Sequence, residues 1–137
     1  MSNGNGANDF GVSFGRIMFL QQVLSTHSNV TVLGRHDDIV FDIRRNRQGD
    51  VLSVVCVEAY SASLELVMRV VQTFPEVAVI FVGGKWNGYT REAYEFCEEH
   101  KIGIYNAGEI AGGLHSDSFW NYEKLDDEGN LARSIKA

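Results

Sequence analysis

Two acids stand in unusual company in this chain. Asp38 opens the alternating stretch "DIVFDIRR", and Glu58 interrupts the apolar run of "LSVVCVEAYSAS". An apolar strand accepts a charge only where it reaches water or meets a compensating group. If the turn around Gln48 sets the hairpin register, Arg44 faces Leu52, Asp42 faces Val54, Val40 faces Cys56 and Asp38 faces Glu58. Directly opposed like charges are unfavourable in a sheet unless something positive stands between them. A hard divalent cation such as Mg²⁺ is the obvious candidate, since it takes oxygen ligands and keeps several waters. The alternative is a pair of acids at separate strand ends in water, and a one-residue slip would move them to opposite faces.

Other reactive residue types are more scattered. His27, His36, His100 and His115 lack i, i+4 partners and read as solvated or capping side chains, although His36 lies two residues before Asp38. Cys56 and Cys97 lack metal-ligand spacing and read as buried thiols of a reducing compartment. The loop "GGKWNGY" has neither Walker spacing nor a dinucleotide fingerprint, so no nucleotide site is expected from it. Its Trp86 and Tyr89 either fold back onto the sheet or form a contact surface, because aromatics among glycines are costly to leave wet. Arg44, Arg45 and Arg47, around "RRNRQG", read as solvated hairpin residues.

These residues need elements to hold them. From Phe14 to Leu24, apolar side chains recur at three- and four-residue steps, which predicts a helix with a broad buried face. "VTVLG" and "DIVFDIRR" read as strands, followed by a third from about Val51 to Tyr60. "ASLELVMRVVQTF" is a helix with Leu64, Val67, Met68, Val71 and Phe74 on one stripe, and Pro75 follows it. "VAVIFVGG" has the continuous apolar character of a strand covered on both faces. Thr90 caps a helix over "REAYEFCEEHK" with Ala93, Phe96 and Cys97 inward; "IGIYN" is a short strand and "AGEIAGGL" a short helix. The expected fold class is α/β, a three-layer α/β sandwich with a central mixed sheet.

A helix, an Asp at the start of a hairpin strand and an acid near the end of the next strand together resemble the PD-(D/E)XK, or restriction-endonuclease-like, superfamily. The second half, "VAVIFVGG...GYTREAYEFCEEHKIGIYNAGEIAGGL", is similar to its Mrr-type branch, and the likeness covers roughly residues 14 to 114. The resemblance implies a Mg²⁺ site on Asp38, with Asp37 as fallback, on Glu58 and on the carbonyl of Ala59. It also implies a lysine where this chain has Tyr60. An alternative alignment puts Glu58 in the lysine slot and Cys56 in the acid slot. The first-helix glutamate of many members is absent from "SFGRIMFLQQ", and Lys85 is the candidate substitute for the missing ammonium. Two functions follow. One is a catalytically degenerate domain retained as a binding or assembly module, with Trp86, Tyr89, Trp120 and Tyr122 toward a protein partner or a second copy. The other is a Mg²⁺-dependent nuclease in which Asp38, Glu58, Tyr60 and Lys85 carry the reaction.

Composition bounds both readings. The 137 residues suit one domain, expected over residues 10–125, after a disordered arm at 1–9 and before a tail at 126–137 that frays. With 12 basic against 18 acidic residues the net charge is −6, which disfavours a sequence-independent grip on nucleic acid. No stretch suits a membrane span or a signal peptide, and the expected location is cytoplasmic.

Overall fold

A computed structural model describes residues 8–136. In chain order the elements are α1 (Phe14–Ser25), β1 (Val30–His36), β2 (Val40–Arg45), β3 (Val51–Cys56), β4 (Ser61–Ala62), α2 (Leu64–Thr73) and β5 (Val77–Phe81). They continue as β6 (Gly88–Thr90), α3 (Arg91–Glu99), β7 (Gly103–Tyr105), α4 (Ile110–His115), a 3₁₀ turn (Phe119–Asn121) and β8 (Ile135–Lys136). The main sheet has the order β1-β2-β3-β5-β7. Its first three strands form an antiparallel meander, and β3, β5 and β7 run parallel. Side chains of both parities are buried along β5 and β7, so this half of the sheet is covered on both faces, as in an α/β sandwich.

Hydroxyl caps start the three longer helices. Ser13, Ser63 and Thr90 accept hydrogen bonds from the amides of Arg16, Leu66 and Ala93 at 3.2, 3.1 and 3.1 Å, so each satisfies an amide that the first helical turn leaves open. Burial then selects narrower faces than the apolar patterns predict. In α1 it is Ile17, Leu20 and Leu24 that are buried, while Phe14 and Phe19 stay partly in water. In α2 the buried pair is Val67 and Val70, and Met68 is exposed, so the stripe is rotated from the one expected. In α3, Tyr94 joins Ala93 and Cys97 inside.

The hairpin register differs from the expectation by one residue. Arg44 pairs with Val51, Asp42 with Ser53 and Val40 with Val55. The turn gives the reason. Arg45 N–H donates to Asp50 O and Gly49 N–H to Arg45 O, which closes the loop one residue earlier, with Gly49 at φ +76°. On this register position 38 falls opposite Val57 rather than Glu58.

Three further departures lie in the second half of the chain and in the hairpin. β3 stops at Cys56, and the chain then builds a second, parallel three-stranded sheet of order β4-β6-β8 that local pattern did not announce. The segment after residue 125, read as fraying, is held by a Leu125–Leu131 bridge and by β8 against β6. Arg45, read as solvated, is buried. Its guanidinium donates to Asp50 at 2.8 and 2.9 Å and to Ser116 O at 2.6 Å, tying the hairpin turn to the segment after α4.

Candidate functional site

β3, β5 and β7 end side by side, since Cys56 pairs with Phe81 and Phe81 with Tyr105. The loops that follow them therefore leave from one end of the sheet. The start of β2 lies there too, because Cys56 N–H donates to Ile39 O at 2.8 Å. Ligands of open α/β sheets characteristically bind at this carboxyl end of the parallel strands. Asp38, Glu58, Tyr60, Lys85 and Trp86 are all carried on segments at this end.

Asp38 sits in a tight turn, with Asp37 and Asp38 at φ +50° and +65°, a conformation that Asp tolerates better than most residues. Its carboxylate is fully buried. It accepts from Asn8 Nδ2 at 2.7 Å and from Arg35 Nη1 at 3.0 Å, and Arg35 Nη1 also donates to the Asp38 carbonyl at 2.8 Å. Asn8 is itself fixed: its Oδ1 accepts from the Val12 amide at 2.9 Å and its Nδ2 donates to Val12 O at 2.8 Å. Asn8 and Asp9 of the expected disordered arm are thus structured, while residues 1–7 lie outside the described residues.

Glu58 is met by Arg16 from the first turns of α1. Its Oε2 accepts from Arg16 Nε at 3.2 Å and from Nη2 at 3.0 Å. Cys56 senses both acids: burial pushes its thiol up to about 12, Glu58 and Asp38 add to the rise, and Arg16 opposes it. A thiol held neutral in this way is not a nucleophile at physiological pH. His36 bridges Asp37 at 2.7 Å and Asp42 at 3.1 Å. Its hydrogen bond to Asp37 raises its pKa above the ordinary value, with Asp42 adding to the effect.

The remaining candidates separate into surface and core. Tyr60 is exposed, and Lys136 Nζ lies 4.2 Å from its ring centre. Ala59 N–H donates to Val82 O at 3.1 Å, which extends the β3–β5 ladder past the strand end. Lys85 and Trp86 line an open cleft of about 600 Å³ with Asn106, Gly108, Lys124 and Ser134. Trp86 is 83% exposed. Tyr89 takes the other course and folds inward: it is fully buried, stacked on Tyr94 with ring centroids 5.9 Å apart. Trp120 and Tyr122 are half-buried, with Trp120 edge-on to Phe119 and Tyr122 edge-on to Tyr105.

Beneath Tyr89 lies an ionic network that the sequence did not reveal. Tyr89 OH donates to the Glu109 carboxylate, with contacts of 2.9 and 2.8 Å to its two oxygens, and Arg133 Nε donates to Glu109 Oε2 at 3.0 Å. The Ser134 and Asn106 amides donate to the same carboxylate at 2.7 and 3.0 Å. The Arg133 guanidinium also lies 5.2 to 5.6 Å from the ring centres of Tyr89, Tyr94, Tyr105 and Tyr122. Burial first, and the Glu109 charge second, hold the Tyr89 phenol far above its ordinary pKa, so it remains a donor. The only advance signal was Glu109 within the otherwise apolar "AGEIAGGL"; Arg133, in a polar tail, gave none.

A cation between Asp38 and Glu58 would need free carboxylate oxygens facing one another. Both Asp38 oxygens accept side-chain hydrogen bonds, from Asn8 and Arg35, and Glu58 Oε2 accepts from Arg16, so each acid of the expected Mg²⁺ pair has an arginine against it. Among the described residues no three His, Cys, Asp or Glu side chains converge as a metal-ion group. No helix among them is long and apolar enough to cross a membrane. Comparison with protein-family profiles, with curated proteins and with solved structures finds no match to this chain.

Proposed function

We propose that this domain is a catalytically degenerate member of the restriction-endonuclease-like fold that works as a binding or assembly module. The observation that carries the reading is the Arg16–Glu58 pair: an arginine occupies the acid that matches the superfamily's acid-x-Lys motif, and the lysine position is an exposed tyrosine. The order of α1, the β1–β3 meander, α2 and a β5 parallel to β3 supports the fold resemblance. Fold alone leaves function open. Hydrolysis of a phosphodiester in such a site relies on metal to activate water and neutralise phosphate charge. Here arginines neutralise the acids instead. Binding falls to the exposed residues at the same end of the sheet, with Trp86 the most exposed large apolar side chain among the described residues.

The test is cleavage of duplex DNA, single-stranded DNA and RNA with Mg²⁺ or Mn²⁺. No cleavage above a buffer control is the expected result. Metal-dependent cleavage that Asp38→Ala abolishes would establish the nuclease reading in its place, and Lys85→Ala would then ask which group supplies the missing ammonium. Trp86→Ala is expected to weaken self-association or partner capture, followed by light scattering and pull-down, with the melting temperature unchanged.

A further inference from the structure

The cleft beside Trp86 has a chemistry of its own. Its ionisable lining residues, Lys85 and Lys124, are both cations, and no acid lines it among the described residues, in a chain whose net charge is −6. Lys85 comes from the loop after β5 and Lys124 from the segment after the 3₁₀ turn, so tertiary structure alone brings the two ammonium groups to one cleft. In the same cleft the Trp86 indole presents a flat apolar surface to solvent. Cations combined with an exposed ring are complementary to a ligand that joins a dianion to a planar group.

The floor of the cleft is rigid. Asn106 is buried, and its Nδ2 faces three acceptors: Ser134 Oγ at 2.7 Å, Asn87 O at 3.0 Å and Lys85 O at 3.2 Å. Its Oδ1 accepts from Gly108 N–H at 2.9 Å. One side chain thereby fixes three wall segments, including the backbone that carries Lys85. Lys124 Nζ donates to Gly108 O at 3.1 Å, which places the ammonium over the cleft and leaves two of its three N–H donors for a ligand. A site whose walls are set before binding loses less entropy on binding.

We propose that this cleft binds a nucleoside monophosphate, with the base stacked on Trp86 and the phosphate held between Lys85 and Lys124. A phosphate monoester carries a charge of about −1.5 to −2 at neutral pH, which two ammonium groups match. A base supplies the planar face, and its stacking on an aromatic side chain adds to the charge contacts. The volume of about 600 Å³ falls within the range of roughly 300–1,000 Å³ for small-ligand sites. The loop lacks the glycine spacing of the Walker and dinucleotide motifs, because here ammonium groups rather than successive backbone amides meet the phosphate. This inference rests on the proposed function only in taking the Trp86 end of the sheet as the contact surface.

Calorimetric titration of the whole chain with AMP, adenosine, inorganic phosphate and a 5′-phosphorylated tetranucleotide tests it. AMP is expected to bind saturably, and adenosine and phosphate about tenfold or more weakly, since each lacks one half of the recognition. Trp86→Ala and Lys85→Met should each weaken AMP binding about tenfold with the melting temperature unchanged, as charge-assisted contacts and stacking each contribute on the order of 1.5 kcal/mol or more. Trp120→Phe leaves Trp86 as the one tryptophan, and its fluorescence should be quenched along the same isotherm. The proposal is overturned if AMP shows no saturable binding at millimolar concentration, if phosphate alone binds as tightly, or if the tetranucleotide binds and AMP does not. AMP binding that survives Lys85→Met combined with Lys124→Met overturns it as well. None of these outcomes alters the cleavage result, so this inference and the proposed function fail separately.

Discussion

At the scale of single residues, the molecule repeatedly answers a buried or crowded charge with an arginine. Arg16 meets Glu58, Arg35 meets Asp38, Arg45 meets Asp50 and Arg133 meets Glu109. Only the last pair is almost wholly buried on both sides, at 1% side-chain exposure each, and there the energetics are least forgiving. Removing one member of a buried ion pair leaves an uncompensated charge, at a cost of about 3–5 kcal/mol. Arg133→Met is therefore expected to lower stability by about that amount in denaturant unfolding. Arg133→Met with Glu109→Gln should recover part of the loss, because it removes the orphaned charge. Equal losses in the single and double variants would mean that Arg133 acts through packing among the tyrosines rather than through Glu109.

At the scale of elements, the small parallel sheet shows how a weak strand is kept. β8 has only Ile135 and Lys136, and it pairs with Tyr89 and Thr90 of β6. The approach depends on Gly88, since a Cβ there would overlap the Ser134 carbonyl oxygen and lie 3.1 Å from Lys136 Cε. Gly88→Ala should displace the tail or strain its pairing, at a cost on the order of 1–3 kcal/mol typical of overpacking. Limited proteolysis reads this directly. Cleavage should appear after Tyr122 in the variant under conditions that leave the parent intact. A tail that stays protected would show that Arg133, rather than β8 pairing, retains it.

At the scale of the whole molecule, stability should fall on both sides of a plateau in pH. His36 has a raised pKa in the fold, chiefly from its hydrogen bond with Asp37, so its contribution is complete below about 6.5 and is lost as pH rises through the raised value. Asp50 has a lowered pKa, chiefly from its hydrogen bond with Arg45. Its contribution is present above the ordinary carboxylate value and is lost as pH falls through the lowered one. Both side chains are substantially exposed, which makes the effects small and sensitive to salt. Melting curves across pH should show the alkaline limb flattened in His36→Ala and the acid limb flattened in Asp50→Asn. An unchanged alkaline limb in His36→Ala would remove its bridge to Asp37 and Asp42 from the account.

Sequence by itself determined what short-range rules govern: the Thr90 cap, the helices at α1, α2 and α3, the meander, and a β5 apolar on both faces. Those features depend on neighbours within a few residues. The same local rules missed the register by one, because a single turn hydrogen bond shifts every later pair. They also could not separate Trp86 from Tyr89, two aromatics three residues apart in one glycine-rich loop. Tertiary structure decided that. Tyr89 turns inward because Glu109 and Arg133 offer its hydroxyl partners from 20 and 44 residues away, while Trp86 stays in water beside Lys85 and Lys124. Asp38 and Glu58 were legible as charges needing compensation. Asp38 takes Arg35 from three residues away across its own turn, whereas Glu58 takes Arg16 from 42 residues away, which required α1 to be brought to the end of β3, a matter of long-range packing that periodicity does not encode.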